Sequence, residues 1–126
     1  MTRGCLAVKK EEGGWVGIHY RHSAFPMGLG PAIFEGIRRE GLDNVVRYIL
    51  EAPEPITDED ADPRSIEWLY LIDPATYKMD IFVGAIVGGS WEEGFAYDFV
   101  YVDTIDLRGE EPNWEEIEKK GNEKRL

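Results

Sequence analysis

The chain reads as an α+β domain with a mostly antiparallel sheet of about five strands, in the order β-β-α-α-β-β-β-α, and two central helices packed on one face. Three observations predict this. Residues 4–20 hold two short alternating runs about a Glu11-Glu12-Gly13-Gly14 turn. Residues 66–83 repeat the pattern about Asp73-Pro74-Ala75-Thr76. Between the two hairpins, residues 31–50 switch to helical spacing.

In the first strand, Leu6 and Val8 share one side, Cys5 and Ala7 the other. The return strand WVGIHY sets Val16, Ile18 and Tyr20 against Trp15, Gly17 and His19. The run SAFPMGLGP is a Gly/Pro break, and Pro31 suits a first helical turn, where its missing N–H costs nothing. Ile33, Phe34 and Ile37 make the stripe of the first helix. Gly36 weakens that helix by about 1 kcal/mol relative to Ala, which implies close packing there. Gly41 ends it, and Asp43 is placed to cap a second helix carrying Val45, Val46, Ile49 and Leu50, stopped by Pro53.

Residues 54–65, EPITDEDADPRS, form an acidic connector, expected to be solvated and mobile. IEWLYLI then alternates with apolar residues on both sides, so both faces are at least partly covered. YKMDIFV runs back with Tyr77, Met79, Ile81 and Val83 on one face. Gly84 to Gly94 is ambiguous, with GGSWEEG reading as loop, and FAYDFVYV makes the fifth strand. Asn113 with Glu116 opens a short last helix that Gly121 is expected to stop.

A length of 126 residues implies one domain, residues 1–126, and 43% hydrophobic content supplies a core. No apolar run approaches a membrane span, and the first residues show no secretory h-region, so a cytoplasmic protein is expected. Charge is uneven. Residues 1–53 carry 7 Lys/Arg against 6 Asp/Glu, whereas residues 54–126 carry 7 against 19. An acidic field of this kind disfavours direct nucleic-acid binding and favours a basic partner.

Chemistry-bearing motifs are sparse. His19 and His22 are the only histidines and Cys5 the only cysteine. They lack the ligand number and spacing of a zinc site, so no metal is expected. DEDAD lacks the glycine and register of a calcium loop. Gly28-Leu29-Gly30-Pro31 matches neither a P-loop nor a dinucleotide fingerprint. No cofactor and no catalytic residue is assigned, and the balance falls against an enzyme. Tyr20, Arg21 and His22 form the one alternative ligand site, at the mouth of the first hairpin.

The run from Tyr20-Arg21-His22 through Pro26, Gly28, Gly30 and Pro31 resembles small uncharacterised phage and bacterial proteins with a pattern like IYRHWDGYPEGxGPxLLxxL. WLYLID, Trp68 to Asp73, is similar to the strand that follows in those proteins. The match departs at Ser23-Ala24-Phe25, which is one residue shorter than Trp-Asp-Gly-Tyr and lacks its carboxylate. The resemblance implies an α+β fold and a phage or mobile-element context, with no activity to transfer.

The expected function is therefore that of a small acidic protein-binding module. Asp58, Glu59, Asp60 and Asp62, then Glu92 and Glu93 beside Trp91, then Glu115 beside Trp114, are the candidate contact residues, with the two tryptophans as apolar anchors. Combined with the resemblance, this points to an inhibitor that meets a basic surface of a host protein or nucleoprotein complex. RNA polymerase or a CRISPR-type defence complex would present such a surface, and the acids would imitate a phosphate backbone.

Overall fold

Strands β1 (Gly4–Lys9) and β2 (Trp15–Tyr20) form the first hairpin, in register from Gly4↔Tyr20 to Lys9↔Trp15. The structure, a computed structural model, describes residues 2–125. Helices α1 (Pro26–Glu40) and α2 (Leu42–Leu50) follow, then a two-residue strand β3 (Ile56–Thr57). Strands β4 (Trp68–Asp73), β5 (Lys78–Ser90) and β6 (Gly94–Asp106) and helix α3 (Trp114–Lys124) complete the chain.

The sheet has six strands in the order β3-β2-β1-β4-β5-β6. It is a mixed sheet, with four antiparallel pairings and one parallel. β1 and β4 run parallel, from Gly4↔Trp68 to Val8↔Ile72, and join the two hairpins side by side. The physical reason lies in their composition. Cys5, Leu6, Ala7 and Val8 are all buried, as are Trp68, Leu69 and Tyr70. Strands apolar on both faces belong in the sheet interior.

All three helices serve one face. Leu6, Val8, Tyr70, Ile72, Met79 and Ile81 meet Ile33, Phe34, Ile37, Ile49, Trp114 and Ile117 there. Phe34 and Trp114 cross edge to face, with ring centroids 6.5 Å apart. Tyr70 Oη donates to the Ala24 carbonyl at 2.7 Å, which pins the segment leading into α1 onto the sheet. The other face has a smaller cluster of Cys5, Ala7, Trp15, Ile66 and Leu69. The acidic connector covers it, so that segment is bound to the body. β3 pairs with β2, and Asp58 exchanges bonds with the Trp15 main chain, its own amide donating to Trp15 O at 3.3 Å and its carboxylate accepting from Trp15 N at 3.1 Å.

Three helix boundaries differ from expectation. α1 starts at Pro26, not Pro31, because the Gly/Pro break is itself helical. Gly30 is buried there, and a Cβ on it would lie 2.4 Å from the Trp114 ring, so close helix packing outweighs its poor propensity. Gly121 does not stop α3; it seats the helix on Trp68, whose ring would lie 2.1 Å from an added Cβ. Asp43 does not cap α2. The linker is the single residue Gly41, at φ 88°, so Asp43 falls inside the first turn. Asn113 does cap α3, accepting from Glu116 N at 3.3 Å. α1 has no side-chain cap of its own, and Glu118 of α3 accepts from Met27 N at 3.2 Å instead.

β6 is the outer strand for 13 residues, a length that invites pairing by another chain. Asp98 and Asp103 engage the amides of Phe99 at 2.7 Å and Thr104 at 2.8 Å, and so set charge along that edge.

The glycines supply a paired test of this packing. Gly121→Val should lower stability by roughly 1–3 kcal/mol through overpacking against Trp68. Gly36→Ala should raise it by about 1 kcal/mol, because nothing lies within 4 Å of a Cβ at that position. Urea titrations of the two variants check both signs.

Candidate functional site

β4 supports β5 only through Lys78↔Asp73 to Val83↔Trp68, with one further bond from Gly84 N to Glu67 O. From Gly84↔Phe99 to Ser90↔Gly94, β5 and β6 have no other strand beside them among the described residues. They form a two-stranded arm that outruns the sheet. Ala85-Ile86-Val87 of the ambiguous stretch thus extends the strand. Of GGSWEEG, expected to be loop, residues 91–93 are a turn while its two ends belong to β5 and β6. Register shifts at Ile81/Phe82 and Ile86/Gly88 absorb the mismatch. The arm closes through Trp91, Glu92 and Glu93, with Gly94 at φ 88° and Glu93 N donating to Ser90 Oγ.

Cross-strand partners share a face, so Phe82 stands with Tyr101 and Ile86 with Tyr97. Phe82 and Phe99 pack on the cluster away from the helices, which puts these side chains on that side of the sheet. The Phe82 and Tyr101 rings meet edge to face at 6.0 Å. Ile86, Val87, Trp91, Tyr97 and Tyr101 are all exposed, and they are five of the eight large apolar side chains left open among the described residues. Trp91 is 92% exposed and touches Phe95 edge-on at 5.0 Å.

The connector borders this surface. Its Pro63 and Ile66 carbonyls press on Gly84, where an added Cβ would lie 2.1 Å from Pro63 O. Asp62 pairs with Arg64 at 3.3 Å. Hydrogen bonds from Arg64 hold the Asp62 carboxyl below its usual range. Arg64 is raised in turn, by the Asp62 hydrogen bond first and with a small contribution from Tyr97. Asp58, Glu59 and Asp60 are exposed.

Of the predicted contact residues, Asp58, Glu59, Asp60 and Asp62 lie on the connector, and Trp91, Glu92 and Glu93 at the arm tip. Trp114 joins neither group. It is buried against α1, with its Nε1 donating to Glu111 Oε2 at 2.7 Å, so the expected anchor is a core residue. Glu115 is exposed, on α3 at the helix face. The missed residues are Ile86, Val87, Tyr97 and Tyr101. Their signal is a length mismatch, since the apolar run after Lys78 exceeds what the six-residue β4 can cover.

The alternative site divides. Tyr20 enters a cleft of about 510 Å³ between α1, α2 and β1, beside Leu6, Ile33 and Val45. Arg21 lines a second hollow with His19, Glu51 and Glu54. His22 is exposed and lines neither. Burial and the neighbouring Tyr48 and Cys5 raise the Tyr20 phenol. Burial pushes the Cys5 thiol up to about 12, so it is a poor nucleophile and a poor ligand at neutral pH. Cys5 and His19 are direct cross-strand partners, but among the described residues no group of three His, Cys, Asp or Glu side chains is placed to hold a metal.

Set against family models, curated proteins and solved structures, the chain gives no significant match. Among the described residues no helix is long and apolar enough to cross a membrane.

Among the described residues, buried His19 Nε2 finds no hydrogen-bond partner. Burial first, then Arg21 and Arg3, lower its pKa below 6.5. The unfolded chain therefore takes up a proton near pH 6.5 that the folded chain refuses, and stability present above that pH is lost as pH falls through it. His19→Gln should remove this component. Between pH 7.5 and 5.5 the Tm of the wild type should fall further than that of the variant; equal falls would show that His19 is not the group concerned.

Proposed function

We propose that this protein is a protein-binding module whose contact surface is the β5–β6 arm together with the aromatic face beside it. The observation that carries the reading is Trp91, 92% exposed at the tip of a ribbon that no other strand supports. Isolated exposed apolar residues need no explanation, but a grouped set of large ones on one element marks an interaction surface. Tyr and Trp are also the residue types that dominate binding energy in interfaces.

Charge defines the partner class. Glu92 and Glu93 follow the anchor, and Asp62 lies at the end of the connector that borders the aromatic face, whereas Asp58, Glu59 and Asp60 lie at its other end, beside β2. A basic protein surface with an apolar pocket for an indole fits that pattern. The acids speed the encounter and exclude acidic competitors, while the aromatic side chains hold the complex. The likeness of the Tyr20–Pro31 run to phage and bacterial proteins adds a context, in which the partner is a nucleic-acid-handling complex of a host such as RNA polymerase or a CRISPR-type defence complex. The protein would then act by occupying a surface meant for phosphates.

The test is capture from host lysate on immobilised wild type, Trp91→Ala and the double variant Glu92→Lys/Glu93→Lys, followed by affinity measurement with the purified partner. Trp91→Ala should weaken the complex at least tenfold. The charge reversal should slow association and flatten its dependence on salt. A partner captured equally by all three proteins would contradict the proposal.

A further inference from the structure

The 510 Å³ cleft between α1, α2 and the β1–β2 hairpin is separate from the arm and has no role in the proposed complex. Its size is that of a small-molecule site. Leu6, Leu29, Ile33 and Val45 make an apolar interior, and Tyr20 and Tyr48 stand close enough for one phenol to raise the pKa of the other. Among the described residues neither phenol makes a hydrogen bond within the chain. Arg39 stands at the rim. Its Nε pairs with Glu40 at 3.2 Å, which leaves its terminal nitrogens free.

Gly36 is the second observation. It sits in the middle of α1, where glycine costs about 1 kcal/mol against alanine. Nothing in the protein requires it, since a side chain there would meet open space. It lines the cleft, and its missing side chain keeps the hollow open. The polar groups that remain, two phenols and the terminal nitrogens of Arg39, are all able to donate. Glu40, the only carboxylate lining the cleft among the described residues, has one oxygen paired with Arg39. The cleft also belongs to the near-neutral first half of the chain, away from the acidic excess.

We propose that this cleft binds a small apolar monocarboxylate, its hydrocarbon part against Leu6, Leu29, Ile33 and Gly36 and its carboxylate toward Arg39 and the two phenols. An aliphatic chain of about ten carbons fits a hollow of this size class. The head group accepts hydrogen bonds, in keeping with a rim that offers donors.

Calorimetric titration with decanoate and with 1-decanol tests it. The wild type should bind one decanoate saturably, with Kd below about 1 mM, and 1-decanol at least tenfold more weakly. Gly36→Leu puts a side chain into the hollow, with no neighbour within 4 Å of its Cβ, and should weaken decanoate at least tenfold with an unchanged circular dichroism spectrum. Ala32→Phe, at the exposed rim, should do the same from the mouth. Arg39→Gln should remove most of the preference for decanoate over 1-decanol. No saturable binding, equal affinity in the wild type and both filled variants, or equal binding of acid and alcohol would overturn the assignment.

Discussion

The parallel pairing of β1 with β4 is the contact on which the rest of the fold depends. It pairs Gly4 with Trp68, 64 residues further along, across β2, α1, α2 and the connector. Closing a loop that long is entropically costly, though the cost grows only slowly with length. Burial offsets it, because the same crossover supplies both covers of the pair. Its helices lie over Leu6, Tyr70 and Ile72, and its connector over Cys5, Ala7 and Leu69. Trp68 stands at the end of this seam, almost fully buried, and α3 reaches it through Gly121. A seam covered on both sides can hold only six residues of β5. The rest of β5 therefore leaves the body as an arm, and the projecting surface follows from how short β4 is.

The acidic half of the chain divides between structure and surface. Glu118 satisfies the first turn of α1, Glu111 holds the Trp114 indole, and Asp103 pairs with Lys120 at 2.9 Å. Asp58 ties the connector to β2. Exposed pairs such as Asp103–Lys120 contribute little to stability, but bonds to main-chain amides fix geometry. Glu59, Asp60, Glu92 and Glu93 have no such strong tie to the body. Glu92 and Glu93 stand at the arm tip, and Glu59 and Asp60 at the far end of the connector beside β2, which is why the arm tip, and not the acid-rich start of α3, frames the proposed contact.

Much of the fold was legible in the sequence where one kind of periodicity ran uninterrupted. Met79, Ile81 and Val83 alternate without a break, and all three are buried as their spacing required. Legibility failed at glycines. Gly28 and Gly30 concealed the first turn of α1, and Gly88 and Gly89 concealed the end of β5, because propensity does not register the packing or bulge that compensates for them. Gly36 misled in the other direction, since a neighbour was expected and a hollow is found. Trp114 misled through its surroundings. Acids on both sides suggested an exposed anchor, yet Trp114, Ile117 and Gly121 share the buried stripe of α3. Trp91 had the same local composition and no such stripe, and that difference separates a core tryptophan from a surface one.

On the proposed reading, the body folds without the arm and the arm serves a partner. Ala85 and Asp98 are direct cross-strand partners, so residues 86–97 can be replaced by Asn-Gly, a two-residue hairpin turn. The decisive measurement compares this shortened protein with the wild type in thermal unfolding and in partner capture. The shortened protein should keep a Tm within a few degrees of the wild type and lose capture completely. An unfolded product, or one that captures the partner as before, would contradict that reading.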